Sequence, residues 1–130
     1  MATKKVFVSY DYDNDRHYKN LLLAWDANKD FDFYLNDQSV DVSVNSTSAG
    51  TIKQAISAKI NSSTYFLCIV GEKTHNSSWV SWEISKAVEL KKKIVAVKTS
   101  KDNSTPSGLY NVGAIWALSF NFDAIKDALK

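Results

Sequence analysis

Short apolar runs constrain the fold of this chain more than any other feature of its sequence. Residues 64–70 read TYFLCIV and are apolar at almost every position, while residues 5–10 (KVFVSY) and 93–98 (KIVAVK) are rich in β-branched and aromatic side chains. A strand with one face in water alternates apolar and polar residues, whereas a strand covered on both faces does not. These runs therefore predict central strands of a sheet with a layer packed on each side.

Segments with helical patterns separate the strands along the chain. Helices are predicted over residues 15–28, 51–60, 79–90 and 123–129. The second of these opens with Thr51 and Gln54, which match the capping-box pattern of a helix start. Further strands are predicted at residues 31–35 and 114–120. Two polar segments are predicted to be loops, residues 36–50, with a short extended piece at Val40, Val42 and Val44, and residues 100–113.

Strands that alternate with helices at this spacing form βαβ units, so we expect a single α/β domain over residues 1–130. Its sheet would be parallel and five-stranded with helices on both faces. In such a sheet with strand order 2-1-3-4-5, ligands bind beyond the carboxyl ends of strands one and three, where the order reverses. The chemistry should therefore lie in residues 9–15, in residues 71–83 and in the loop after strand four.

The composition excludes several classes of function. Net charge is +2, and Arg16 is the only arginine among 16 basic residues, which argues against a nucleic-acid partner. The single cysteine, Cys68, provides neither a disulfide nor a thiolate zinc site, and the two histidines form no metal motif, so no metal is expected. We see neither a signal peptide nor a transmembrane run, so no membrane partner and a cytoplasmic location are expected.

Glu83 stands out within the third helix. On a helical projection it falls at the edge of the apolar stripe that contains Val80, Ile84 and Ala87. A buried carboxylate costs free energy unless it is paired, and glutamates in such positions are frequent at catalytic sites. The plainer alternative is a side chain that reaches water and favours the helix dipole. Trp82 falls on the polar back of the same helix, where it is a candidate surface contact with a partner.

Two other kinds of binding motif, a calcium-binding loop and a glycine-rich phosphate-binding loop, do not match the sequence. The turn DYDNDRH carries aspartates at alternate positions, but an EF-hand loop would need glycine and glutamate where this chain has Arg16 and Leu22. Asp13 and Asp15 are therefore expected in a solvated turn or as helix caps. No glycine-rich phosphate-binding motif is present either, so a nucleotide would be held by side chains and scattered amides.

Two pieces of the sequence taken together resemble TIR domains. The strand-one box of residues 6–10 (VFVSY) is followed by an acidic turn, and residues 79–83 (WVSWE) match the W-x-x-x-E pattern of the TIR helix that carries the catalytic glutamate. The sequence looks especially like the bacterial TIR-like proteins of the Thoeris antiphage system. The resemblance implies a flavodoxin-like three-layer fold and cleavage of the bond between nicotinamide and ribose in NAD+, with NAD+ as substrate and no bound cofactor.

The resemblance also implies roles for individual residues and partners. Glu83 would stabilise positive charge on the ribose, and Trp79 would form part of the nicotinamide pocket. The same cleft would be lined from strand one by Phe7, Ser9, Tyr10 and Asp11. The product would be a cyclic or modified ADP-ribose signal that reaches a downstream effector, and the domain would self-associate.

The sequence departs from the TIR pattern in two places, and two other functions stay open. Many TIR enzymes have a basic residue where this chain has Asp11, and residues 36–50 lack the usual proline-containing signature. One alternative is a non-catalytic TIR-like interaction module in which Trp82 and residues 36–50 bind other subunits. The other is an enzyme similar to the nucleoside deoxyribosyltransferases, which have a related topology and also use a glutamate.

Overall fold

The computed structural model describes residues 4–35 and 44–130, which form five strands and four α-helices. The elements in chain order are β1 (Lys4–Ser9), α1 (Tyr12–Trp25), β2 (Phe31–Leu35), α2 (Ala49–Ser62), β3 (Tyr65–Val70), α3 (Ser78–Glu89), β4 (Lys93–Lys98), β5 (Ile115–Trp116) and α4 (Phe122–Ala128). Short 3-10 turns occur at Thr74–Asn76 and Ser107–Leu109. None of the helices in this part of the chain is long and apolar enough to cross a membrane.

The strands form one parallel sheet in the order β2-β1-β3-β4-β5. This confirms the predicted α/β fold and strand order. Because β1 lies between β2 and β3, the strand order reverses there, and the last residue of β1, Ser9, is paired in register with Cys68 of β3. A ligand site at the reversal would therefore face the carboxyl ends of these two strands.

Alternating side chains of the strands build two cores, one on each face of the sheet. On one face Val6, Val8 and Leu67 pack against α1 and α4 through residues such as Leu22 and Ile125. The other face carries Phe7, Phe66 and Ala96, which pack against α2 and α3. Each central strand is thus buried on both sides, which explains why its sequence is apolar without alternation.

Several element boundaries differ from the prediction. Helix α1 begins at Tyr12 because the carbonyl oxygen of Asp11 accepts backbone N–H groups from Asn14 (3.3 Å) and Asp15 (2.8 Å), so the acidic turn is already helical. The predicted capping box was wrong. The buried Ala49 starts α2 two residues before Thr51, which lies inside the first turn.

The extended segments also differ from the prediction. The last strand is shorter than expected, with only Ile115 and Trp116 in β5. Of the extended piece predicted in the loop, Val44 is buried in a turn, whereas Val40 and Val42 lie outside the described residues.

Candidate functional site

Helix α3 carries Glu83 towards the sheet. The Ser77 side chain caps the helix by accepting the Val80 backbone N–H at 3.2 Å, which fixes where the helix begins. From that start, the residues at helical spacing bury one face, which includes Glu83 together with Val80, Ile84 and Ala87. The carboxylate is thus part of the packed face of the helix and lies inside the apolar stripe.

Ser9 and Glu83 form a buried hydrogen-bonded pair. The Ser9 hydroxyl donates to Glu83 Oε1 at 2.6 Å, and the two residues are only 1% and 3% exposed. A short hydrogen bond to a carboxylate is stronger than a neutral one, and it offsets part of the cost of burial. Glu83 therefore does not extend to water, and the plainer alternative of a solvated glutamate at the helix edge was wrong.

Cys68 lies beside this pair. Burial raises the pKa of its thiol, and the negative charges of Glu83 and Asp15 raise that pKa further. A thiol held in its neutral form is a poor nucleophile, so Cys68 does not serve as one at neutral pH. It fills space in the core next to Phe66 and Val70.

The other strand-one residues named from the resemblance lie in three different surroundings. Phe7 is fully buried in the core that faces α2 and α3, and it stacks on Phe66 with ring centroids 5.8 Å apart. Tyr10 points to the opposite face of the sheet and packs in the core of α1 and α4. Asp11 precedes α1, and its carboxylate accepts from the Asn14 side-chain amide at 2.7 Å. The structure brings Phe7 and Ser9 to the face of Glu83 and places Tyr10 on the other.

The two tryptophans of α3 pack against each other. Their rings meet edge to face with centroids 6.0 Å apart, and both are half-buried. The ammonium groups of Lys53 and Lys86 lie 5.7 and 5.8 Å from the centroid of the Trp82 ring. Trp82 was expected on the exposed back of the helix, but it is half-buried, because α2 packs along that side of α3 and Trp82 packs against the core between the two helices.

Asp15 is the buried residue that sequence reasoning missed. It was expected in a solvated turn, yet it is 3% exposed and lies at a kink in α1. Its Oδ2 accepts from the Thr74 hydroxyl at 3.1 Å, and the Thr74 oxygen in turn accepts the Gly71 N–H at 2.8 Å. Burial raises the pKa of Asp15, with added repulsion from Asp11, whereas the hydrogen bond from Thr74 acts in the opposite direction.

Gly71 makes room for this carboxylate. A Cβ atom at Gly71 would overlap both carboxylate oxygens of Asp15, so any larger residue would displace them. A cleft of about 390 Å³ opens beside Asp15 and is also lined by His17 and Glu72. One feature of the sequence could have indicated that Asp15 is buried. A glycine directly follows a fully buried strand, and this strand end faces the start of α1.

Two further features of the region concern metals and histidines. Within residues 4–35 and 44–130, no group of three or more potential ligands from His, Cys, Asp and Glu is placed to hold a metal ion. His75 is exposed and lines a separate cleft of about 320 Å³ with Ser81 and Trp82. The rings of His17 and Tyr18 are tilted by 40° to each other, with centroids 4.0 Å apart.

Comparison with known proteins decides the family. A family model described as "Thoeris protein ThsB, TIR-like domain" matches residues 7–104, three quarters of the chain, and includes both Ser9 and Glu83. The chain belongs to the Thoeris ThsB TIR-like family. It is therefore a TIR-domain protein of that defence system, as the resemblance of the two motifs implied. No curated protein matches the sequence.

Solved structures similar to this TIR-like domain support the fold. A 2-desoxiribosyltransferase from Leishmania mexicana matches with a TM-score of 0.61 and 16% identity, over 95% of each chain. A 2-deoxyribosyltransferase from Bacillus psychrosaccharolyticus matches with a TM-score of 0.57 and 15% identity, over 78% of this chain and 77% of that one. The TIR domains of the Roq1 resistosome give a TM-score of 0.47 and 18% identity, over 74% of this chain and 56% of that one. At these identities the likeness concerns the fold alone.

Proposed function

We propose that this TIR-like domain cleaves the bond between nicotinamide and ribose in NAD+, with Glu83 as the essential carboxylate. The observation that carries the proposal is the buried Ser9–Glu83 pair at the reversal of strand order, in a chain of the TIR-like family. The product is a cyclic or otherwise modified ADP-ribose that signals to an effector of the same defence system.

The chemistry needs a negative charge next to the sugar. When nicotinamide leaves, positive charge develops on the ribose ring, and a carboxylate held nearby stabilises that charge. The stabilisation is larger where water is excluded, because the effective dielectric constant is lower. Glu83 is surrounded by apolar side chains of α3 and held by Ser9, so its orientation is set before the substrate arrives.

The remaining residues have supporting roles in this proposal. Trp79 lies one turn before Glu83 on the same helix and is half-buried, so it supplies the aromatic wall for nicotinamide. Phe7 and Ser9 are buried on the face of the sheet that carries Glu83, and they hold Glu83 in place by packing and by the Ser9 hydrogen bond. Asp11 directly precedes α1, whereas Tyr10 belongs to the opposite core. Glu83 itself is nearly enclosed, so a local opening at the α3 surface accompanies substrate binding.

A non-catalytic interaction module is the second candidate, and one observation favours it. The Glu83 carboxylate is almost fully enclosed and paired with Ser9, so the pair also serves to tie α3 to β1 without any chemistry. In that case the domain would share with its family the ability to assemble, and self-association would be its function. The structural likeness to deoxyribosyltransferases makes deoxynucleosides a third class of substrate to include in the assay.

The test is release of nicotinamide from NAD+ by the concentrated protein, followed by liquid chromatography. Glu83→Gln keeps the shape of the side chain and an oxygen to accept from Ser9, and we expect it to lower the rate by at least about 100-fold. The control is Glu89→Gln, which removes the same charge from the exposed side of the same helix, where Glu89 pairs with Lys86. Its rate should stay within about twofold of the wild type.

The outcomes separate the candidates. Activity that is lost with Glu83→Gln and kept with Glu89→Gln supports the enzyme. Equal rates for wild type and Glu83→Gln would contradict the role of Glu83. If the wild type self-associates but leaves NAD+ intact, even when assembled or exposed to a phage trigger, the interaction module replaces the enzyme. Turnover of deoxynucleosides in place of NAD+ would point to the third class.

A further inference from the structure

A third cleft lies beside the carboxyl end of β4 and the short strand β5, and Glu83 is not among the residues that line it. It has a volume of about 550 Å³ and is lined by parts of three segments, residues 98–101, 105–110 and 116–120. We call it the β5 cleft. Its volume lies within the range of sites that hold small molecules, roughly 300–1,000 Å³.

Two positive charges line the β5 cleft. They belong to Lys98 and Lys101, and none of the described residues that form its wall is an Asp or a Glu. The chain as a whole is close to neutral, with 16 basic and 14 acidic residues, so a cleft with two lysines and no carboxylate differs from the rest of the surface. Such a site favours an anion, and lysine is a common ligand of phosphate.

Aromatic side chains form the rest of the wall. Tyr110 is 61% exposed, Trp116 is also among the exposed large apolar residues, and Phe120 lies at the end of the same segment. The ammonium group of Lys98 is 5.7 Å from the centroid of the Trp116 ring, so a positive charge and an aromatic surface are adjacent. Exposed aromatic rings clustered at one place mark a binding surface, and they stack well on flat heterocycles.

Four hydroxyl groups complete the site. They belong to Thr99, Ser100, Thr105 and Ser119. Hydroxyl groups both donate and accept hydrogen bonds, so they suit the hydroxyls of a sugar. The cleft thus offers flat aromatic surface, neutral polar groups and positive charge.

We propose that the β5 cleft binds a nucleoside phosphate, whose base stacks on Tyr110 and Trp116 and whose phosphate lies between Lys98 and Lys101. Glu83 does not line this cleft, and occupancy of the cleft does not depend on cleavage of NAD+. A protein partner fits the observations less well. Strand β5 has only two residues with which to pair another strand, and the lysines at this edge oppose such pairing.

The experiment is a titration of the isotope-labelled protein with ADP, followed by nuclear magnetic resonance of backbone amides and tryptophan indoles. ADP is added to about 5 mM, which occupies most sites even at a dissociation constant near 1 mM. The chain has four tryptophans, so the indole signal of Trp116 is assigned by its loss in Trp116→Leu. We expect shifts in residues 98–120, including this indole.

Variants, together with ligands that contain only the nucleoside or only the phosphates, test the aromatic part and the lysine part of the site separately. Lys98→Gln and Lys101→Gln should each weaken ADP binding roughly tenfold, because each removes one charged contact with phosphate. The matched control is Lys5→Gln, which removes the same charge at the amino end of β1. Tyr110→Leu should weaken binding at least about fivefold, and because this ring is largely exposed, its removal spares the core. Adenosine and pyrophosphate should each bind more weakly than ADP.

Four outcomes would overturn the proposal. The first is an absence of shifts in residues 98–120, and the second is shifts confined to the region of Ser9 and Glu83. The third is ADP binding that is unchanged by the lysine and tyrosine variants. The fourth is self-association of the wild type that buries Trp116 and prevents ADP binding, since this would make the surface an interface between copies of the chain.

Discussion

Replacing Gly71 by alanine tests the buried niche of Asp15 more directly than any other change. The three atoms nearest to a Cβ at this position all belong to the Asp15 carboxylate, and the overlap is severe. Gly71 is not among the residues with positive φ, so alanine introduces no backbone strain. In the folded state, the effect of the substitution therefore comes from the collision with Asp15.

The expected loss of stability follows from the contacts that Asp15 loses in the variant. To avoid the new methyl group the carboxylate leaves Thr74, and losing a hydrogen bond to a charged group costs about 1.5–3 kcal/mol. Overpacking of a buried site adds about 1–3 kcal/mol, and the lower entropy of the unfolded alanine variant returns about 0.4–1 kcal/mol. We expect a net loss of about 1.5–5.5 kcal/mol in the free energy of unfolding, which for 130 residues lowers Tm by about 5–20 °C.

The assay is urea unfolding followed by tryptophan fluorescence, with Gly50→Ala as the matched control. Gly50 lies in the first turn of α2, and apart from its own helix backbone and chain neighbours no atom of the described residues lies within 4 Å of the position that an alanine methyl group would occupy there. Its replacement should therefore stabilise the protein by about 0.5–1 kcal/mol. In an Asp15→Ala background all three colliding atoms are gone, and Gly71→Ala should then cost less than about 1 kcal/mol.

Two results would refute this reasoning. One is a Gly71→Ala variant as stable as the wild type, which would mean that the carboxylate moves freely and is not held in a niche. The other is a penalty that persists undiminished in the Asp15→Ala background, because the cost would then arise from contacts other than Asp15.

Two further predictions concern titrating groups. Burial raises the pKa of Asp15 above its ordinary value of 3.8, so its contribution to stability is fully present below that value and is lost as the pH rises through the folded-state pKa. In urea unfolding, Asp15→Asn should therefore gain stability relative to the wild type as the pH rises above 3.8, and a difference that stays constant with pH would contradict the raised pKa. The buried Cys68 thiol, whose pKa is also raised, should react with a disulfide reagent only on unfolding. Rapid modification of the folded protein would show that its surroundings open.

The sheet was predictable because its signals are local. Fully apolar runs marked β3 and β4, and the helical patterns between the strands implied parallel crossovers. The strand order then located the reversal at β1 and β3, and with it the region of Ser9 and Glu83. Boundaries failed where backbone hydrogen bonds or the burial of a small residue decided them, as at the starts of α1 and α2.

The side-chain environments were less predictable because distant segments create them. A helical projection placed Trp82 in solvent since it contains no information about α2, which covers that side of α3. Asp15 looked like any aspartate in a polar turn. Nothing within its own segment indicates that Thr74, 59 residues away, donates to it.

The sequence by itself determined the parallel α/β fold and singled out Glu83, because residue periodicity and the spacing from Trp79 are properties of one segment. Only the tertiary structure decided which carboxylates are buried and what holds them. Glu83 is paired with a serine 74 residues away, and Asp15 occupies space that Gly71 leaves open by lacking a Cβ. Burial depends on the shape of all neighbouring segments together, and that shape exists only after the sheet has assembled.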